Sequence, residues 1–152
     1  MLLKRELERT GDPAMGASKD EREARRHFAE RYSPAPDDVL NAVERAVLGD
    51  AWGANGFTTL SEANKLGERT GLDENTHLLD LGTGRGWPAL YLARRTGCRA
   101  TLSDLPVEGL RLAIDRAARE RLELTGAVVA SARDLPFASR SFDAVIHTDV
   151  LC

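Results

Sequence analysis

His77-Leu-Leu-Asp-Leu-Gly-Thr-Gly-Arg-Gly-Trp-Pro88 is the stretch on which the reading of this chain turns. An apolar run carrying one acid, Asp80, passes directly into glycines at alternate positions, Gly82, Gly84 and Gly86, with Thr83 and Arg85 between them. The run reads as a strand and the glycines as the turn that opens the next helix. There a main chain without Cβ atoms lets a ligand come close to backbone N–H groups. A carboxyl inside an apolar strand is costly unless something answers it, so Asp80 reads as a site residue.

Downstream, residues 89–96 put apolar side chains on one helical face, with Gly97 placed to stop the helix. A second strand over 98–103 ends at Asp104. That acid lies roughly 20 residues past the glycine loop, the distance at which a strand-end carboxylate reaches ribose hydroxyls. Asp104 reads equally as an N-cap for the helix predicted over 107–122, whose Leu110, Ala113, Ile114, Ala117 and Ala118 are spaced to pack on a sheet. A third strand is predicted over 126–131 and a fourth over 141–147. Strands alternating with helices predict an α/β fold with a mostly parallel sheet.

A dinucleotide loop wants its third glycine where this chain has Trp87. The pattern Asp80-Leu-Gly-Thr-Gly-Arg-Gly86, followed by Ser131-Ala-Arg-Asp-Leu-Pro-Phe137 and Ser141-Phe-Asp143, instead resembles the class I S-adenosylmethionine (SAM) dependent methyltransferases, with the pieces in that family's order. The resemblance implies a Rossmann-like three-layer sandwich preceded by N-terminal helices, with strands 1–4 of the family's seven in the order 3-2-1-4. It implies SAM as cofactor. Gly82, Thr83, Gly84 and Gly86 would lie against its methionine part, and Asp80 would hold the amino group through water or backbone. Asp104, with Leu105 beside it, would take the ribose hydroxyls, and Ser131, Ala132 and Arg133 the adenine. Ser131 stands where the family carries an acid that accepts from the adenine amino group, and Asp134 is out of register to replace it. His147 and Asp149 fall where the family places residues facing the methyl-transfer centre. His147 is the candidate base, and also a cofactor contact. No Asp-Pro-Pro-Tyr or Asn-Pro-Pro-Tyr follows the fourth strand, which favours a small-molecule methyl acceptor by analogy. Two other readings stay open: a SAM-binding remnant without catalysis, and an NAD-binding dehydrogenase domain.

Residues 1–30 are dense in charge, with breaks at Gly11-Asp-Pro13 and Gly16-Ala-Ser18, and are expected to be mobile. Their mixed signs do not suit a nucleic-acid arm, and no secretory core follows the first basic residues. Residues 31–75 read as a helical cap: a helix over 38–48 stopped by Gly49, a glycine-rich loop with Trp52 and Phe57, and a helix closed by Gly71. Trp52 reads either as packing or as a wall near the bound methionine; Trp87 and Tyr91 read as packing.

Residues 76–152 form the cofactor half-domain. With 152 residues, 42% of them hydrophobic, the chain can bury a core. Three His and two Cys, without metal-ligand spacing, predict neither a metal site nor disulfides and suit a reducing cytoplasm. A net charge of -3 gives no push toward nucleic acid, and no apolar run reaches the roughly 20 residues a membrane span needs. The chain stops at Asp149-Val-Leu-Cys152 without a stop signal, so an incomplete domain is expected, with the fourth strand an edge open to self-association.

Overall fold

The computed structural model describes residues 18–32, 38–54 and 56–150. Three helices precede the sheet: α1 (Lys19–Tyr32), α2 (Asp38–Leu48) and α3 (Leu60–Thr70). Then β1 (His77–Leu81), α4 (Ala89–Thr96), β2 (Arg99–Asp104), α5 (Val107–Glu120), β3 (Leu124–Val129) and β4 (Ala144–His147) alternate. All strand pairings are parallel, in the order β3-β2-β1-β4. This is the expected Rossmann-like order, with β1 and β2 inside and β3 and β4 at the edges of the described sheet.

The central strands read as continuous apolar runs because parallel strands are covered on both faces. Leu78 and Leu79 of β1 and Leu102 of β2 are buried with Leu90 and Leu92 of α4 and Leu110, Ala113 and Ala117 of α5. On β4 the pattern alternates, Ala144 and Ile146 buried against Val145 and His147 exposed. Gly97 closes α4 and Gly71 closes α3 in the left-handed conformation, as their positions in the sequence predict.

From residue 19 on, the described part of residues 1–30 lies in the helix α1. Ser18 and Glu21 close a reciprocal capping box, the Ser18 N–H donating to Glu21 Oε2 at 2.8 Å and the Glu21 N–H to Ser18 Oγ at 3.2 Å. At its other end Tyr32 is buried. The predicted breaks at Gly11 and Gly16 lie outside the described residues. On α2, the helix expected over 38–48, Val39, Leu40, Val43 and Val47 are exposed and Leu48 is buried.

Strand ends shift slightly. β3 closes at Val129 rather than at residue 131, because the Ala130 N–H still bonds the Asp104 carbonyl (3.1 Å) but the Asp134 N–H turns back to the Ser131 carbonyl (3.0 Å). Ser131 therefore sits in a turn at the head of the sheet. Among the described residues no helix is long and apolar enough to cross a membrane.

Candidate cofactor site

The heads of β1 and β2 build the site. The N–H groups of Gly82 and Thr83 donate to the Ser103 carbonyl at 2.8 and 3.2 Å, which folds the glycine loop back over β2. Gly82, Gly84 and Gly86 have φ of 71, 56 and 98°, left-handed values that side chains resist. A second glycine matters on the neighbouring helix: a Cβ on Gly109 of α5 would come within 2.5 Å of the Gly84 carbonyl oxygen, so α5 can seat against the loop only as glycine.

Asp104 does not cap α5, whose N-cap is Pro106. Its carboxylate accepts from the Gly84 N–H at 2.6 Å and from the Leu105 N–H at 2.7 Å, locking loop and strand end together. Burial pushes its carboxyl up to about 6 against the pull of those two donors. Asp80, at 1% exposure, lies beneath the loop. Neither of its oxygens nor the buried Thr83 hydroxyl has a hydrogen-bond partner among the protein groups. Burial pushes Asp80 up to about 8, and the charge of Asp104 adds to it; the Thr83 hydroxyl and the Ala89 N–H lie close enough to pull the other way but outside hydrogen-bond geometry. Two carboxyls at the heads of adjacent strands, both hard to ionise, flank the one glycine loop.

Two cavities open over this floor. The larger, ≈ 320 Å³, is walled by Gly82, Asp104, Leu105 and Ser131, Ala132 and Arg133, with Glu21 of α1 opposite. It gathers every residue assigned from sequence to ribose and adenine. The smaller, ≈ 60 Å³, lies on the other side of the loop between Gly82, Thr83, Gly84 and Arg85 and a roof of Phe28, Tyr32, Gly53, Ala54 and Gly56, with Thr148 and Asp149 at its rim.

The roof is held by a few bonds. The Arg85 guanidinium donates to the Arg31 and Tyr32 carbonyls (3.2 and 3.1 Å). Asp149, at φ 57°, accepts from the N–H groups of Phe57 and Thr58 and from the Thr58 hydroxyl (3.0, 3.2 and 2.9 Å). Trp87 Nε1 donates to the Thr58 carbonyl at 3.0 Å.

Three sequence assignments are revised. Trp52 lines neither cavity; it is buried in the core, with the guanidiniums of Arg94 and Arg116 4.5 and 4.4 Å from its ring centre and Trp87 and Tyr91 against it. The loop instead offers Gly53, Ala54 and Gly56 to the cleft. His147 is exposed on the same face of β4 as Val145 and lines neither cavity. Asp149 reaches the small cavity, but its carboxylate is committed to holding residues 57–58. Sequence reasoning missed Glu21, Phe28, Tyr32 and Arg85. The Ser18-x-x-Glu21 box was legible and marks the helix start; nothing local says where that helix docks.

A parallel α/β sheet with a glycine turn and an acid at the head of β1, and a second acid at the head of β2, is the architecture of a nucleotide-cofactor domain. Residues 79–152 match the family model described as a methyltransferase domain. Over 124 residues the chain is 33% identical to an erythromycin 3''-O-methyltransferase of Saccharopolyspora erythraea, covering 75% of this chain and 40% of that protein. Among solved structures it superposes on a geranyl diphosphate C-methyltransferase from Streptomyces coelicolor A3(2) with a TM-score of 0.65 and 20% identity, over 86% of this chain and 55% of that one. It also matches the [4+2]-cyclase SpnF with a TM-score of 0.51 and 32% identity, over 55% of this chain and 31% of that one. The α/β unit belongs to the class I SAM-dependent methyltransferase family. The chain spans less than half the length of the curated relatives first matched, 40% and 30%.

Proposed function

We propose that this chain binds SAM and belongs to an enzyme that transfers its methyl group to a small molecule. One observation carries the reading: the sealed Asp80 carboxyl and Thr83 hydroxyl, both unanswered, lie under a loop of left-handed glycines whose other flank is Asp104. Such groups are costly in the free protein and gain from a ligand that carries a positive charge and donors.

The residues fit the cofactor. Gly82, Thr83, Gly84 and Gly86 present backbone to its methionine part, and Asp80 answers the amino group from below through Thr83 or the loop. Asp104 accepts from the ribose hydroxyls, and Leu105 and residues 131–133 bound the base. Bound SAM supplies a methyl group on a sulfonium, already activated toward a nucleophile. The protein's own share is then alignment and exclusion of water, effects worth up to about 7–11 kcal/mol when alignment is good. Phe28, Tyr32, Gly53, Ala54 and Gly56 provide that dry wall. No base is assigned: His147 stands outside both cavities and Asp149 is spent on the roof. The names of the two methyltransferases above, one acting on an antibiotic and one on an isoprenoid diphosphate, support a small-molecule acceptor. A cytoplasmic enzyme fits the composition. Pairing of two copies along the β4 edge completes the proposal, and a monomer by sedimentation at high concentration counts against that part.

Calorimetric titration with SAM, S-adenosyl-L-homocysteine and NAD tests the reading, with Asp104→Ala as control. Saturable SAM binding that Asp104→Ala weakens by about 1–3 kcal/mol, the loss of a charge-assisted hydrogen bond, is expected. Binding of NAD in its place sinks the proposal. The likeness to a [4+2]-cyclase supports a second reading, a cofactor-holding domain without methyl transfer; binding of SAM with no transfer of labelled methyl to any small-molecule acceptor by the full-length protein selects it.

A further inference from the structure

The larger cavity is closed on one side by a helix from another part of the chain, and that helix contributes an acid. Glu21 spans two contacts: Oε2 accepts from the Ser18 N–H at the start of α1, and Oε1 accepts from the Ser131 hydroxyl across the cavity mouth. Ser131 in turn accepts from the Arg133 N–H at 3.2 Å, so its donor and one of its lone pairs are already used. Asp104, which accepts from the Gly84 and Leu105 N–H groups, lies at the other end of the cavity, beside the loop. A purine whose ribose meets Asp104 turns its far edge toward residues 131–133 and the first turn of α1. The acceptor held in place at that edge with lone pairs to spare is the Glu21 carboxylate.

We propose that Glu21 reads the 6-position of the purine, accepting from an amino group there and disfavouring an oxo group, so that adenine specificity comes from α1 and not from the loop after β3 that Ser131 heads. The proposal rests on the reading of the cleft as a SAM site. Its ionisation state suits the role, since the bonds from Ser131 and Ser18 hold the Glu21 carboxyl below its ordinary range. It also couples recognition to closure, because the same side chain caps the helix and ties it to Ser131.

Glu21→Gln is the informative variant. Glutamine serves in a capping box as well as glutamate does, so α1 stays capped. With its oxygen on the Ser18 N–H, its NH2 group faces the purine and turns an acceptor into a donor. Affinities for S-adenosyl-L-homocysteine and for its 6-oxo counterpart, S-inosyl-L-homocysteine, are measured by calorimetry on the wild-type chain, Glu21→Gln, Asp20→Asn and Asp104→Ala, with helicity followed by circular dichroism. Wild type is expected to prefer the amino compound, and Glu21→Gln to cut that preference by about tenfold, the loss of one hydrogen bond to a charged group. Asp20→Asn, which removes a charge from the same wall, leaves the preference intact, and Asp104→Ala weakens both ligands alike. An unchanged preference in Glu21→Gln overturns the proposal while leaving the cofactor reading standing. Failure of both compounds to bind wild type overturns the two together.

Discussion

The floor and the roof of the cleft are built on different principles. The floor is buried and continuous with the sheet: Asp80 and Thr83 are almost fully enclosed, and the loop above them is shaped by left-handed glycines and by Gly109 pressed against a carbonyl. The roof is joined by bonds that can open one at a time, Glu21 to Ser131, Arg85 to the carbonyls at the end of α1, and Asp149 to residues 57–58. Phe57, beside the last of these, is 89% exposed. Elements with few buried contacts open at low free energy while a core strand opens only with the whole fold. The difference teaches a division of labour: fixed charges of a ligand are answered where nothing can move, and entry is controlled where little holds.

Substitutions on the two sides should separate accordingly. The largest effect is expected at Gly86→Ala. Its φ is 98°, and a Cβ would sit 2.5 Å from the Leu90 Cδ1 atom and 3.2 Å from the Ala113 Cβ atom. Strain plus overpacking predicts a loss of about 2–4 kcal/mol in urea unfolding; a loss below 1 kcal/mol would show the floor to be softer than its packing implies.

Next is a pH effect from Asp80. Its carboxyl ionises near about 4 in an unfolded chain and at about 8 in the fold. Between those values the native state holds a proton that the unfolded state has released, so stability falls as pH rises from about 4 to about 8 and then levels off. Asp104, at about 6, adds a slope of the same sign from about 4 to about 6. The ligand-free protein is expected to lose several kcal/mol over the window, about 1.4 kcal/mol per pH unit for each carboxyl that stays protonated, and Asp80→Asn to remove the slope above pH 6 and about half of it below. A slope untouched by Asp80→Asn places the titration elsewhere. Ammonium brought in by SAM favours the ionised carboxyl, so binding near pH 7 should release a proton, read from calorimetry in buffers of different ionisation enthalpy.

Asp149→Asn belongs to the roof. It weakens three hydrogen bonds at partly exposed groups and is expected to cost about 1 kcal/mol, while limited proteolysis near Phe57 becomes several-fold faster; protection of that bond unchanged would mean Trp87 alone holds the loop. The smallest effect is Arg85→Lys. A lysine reaches one of the two α1 carbonyls at a time, so global stability changes by less than about 1 kcal/mol, and hydrogen exchange at the end of α1 quickens without any change in β1.

The floor was legible because its signals are local. Asp80, Gly82, Gly84 and Gly86 are neighbours in sequence, and a parallel strand buried on both faces announces itself as an apolar run. Asp104 was legible as a position, but its choice between capping α5 and bonding the loop was made by the approach of the Gly84 N–H. The roof was hidden. Ser18 and Glu21 mark a helix start, yet the dense charge of α1 suggests an unordered segment, and only the fit of Tyr32 against Gly84 and Gly109 shows where it docks. Trp52 misled because a large aromatic in a glycine-rich loop serves a pocket or a core equally well; two guanidiniums from α4 and α5 decided for the core.

What the amino-acid sequence determined by itself is the α/β alternation, the strand heads and the glycine turn, since periodicity, left-handed glycine and the cost of a buried acid act within a few residues. What tertiary structure alone decided is which groups face each other across the cleft: Glu21 with Ser131, Asp149 with residues 57–58, Gly109 with Gly84. Those pairs lie 25 to 110 residues apart, and no local preference can select a partner at that separation; packing of the sheet and its helices brings them within reach.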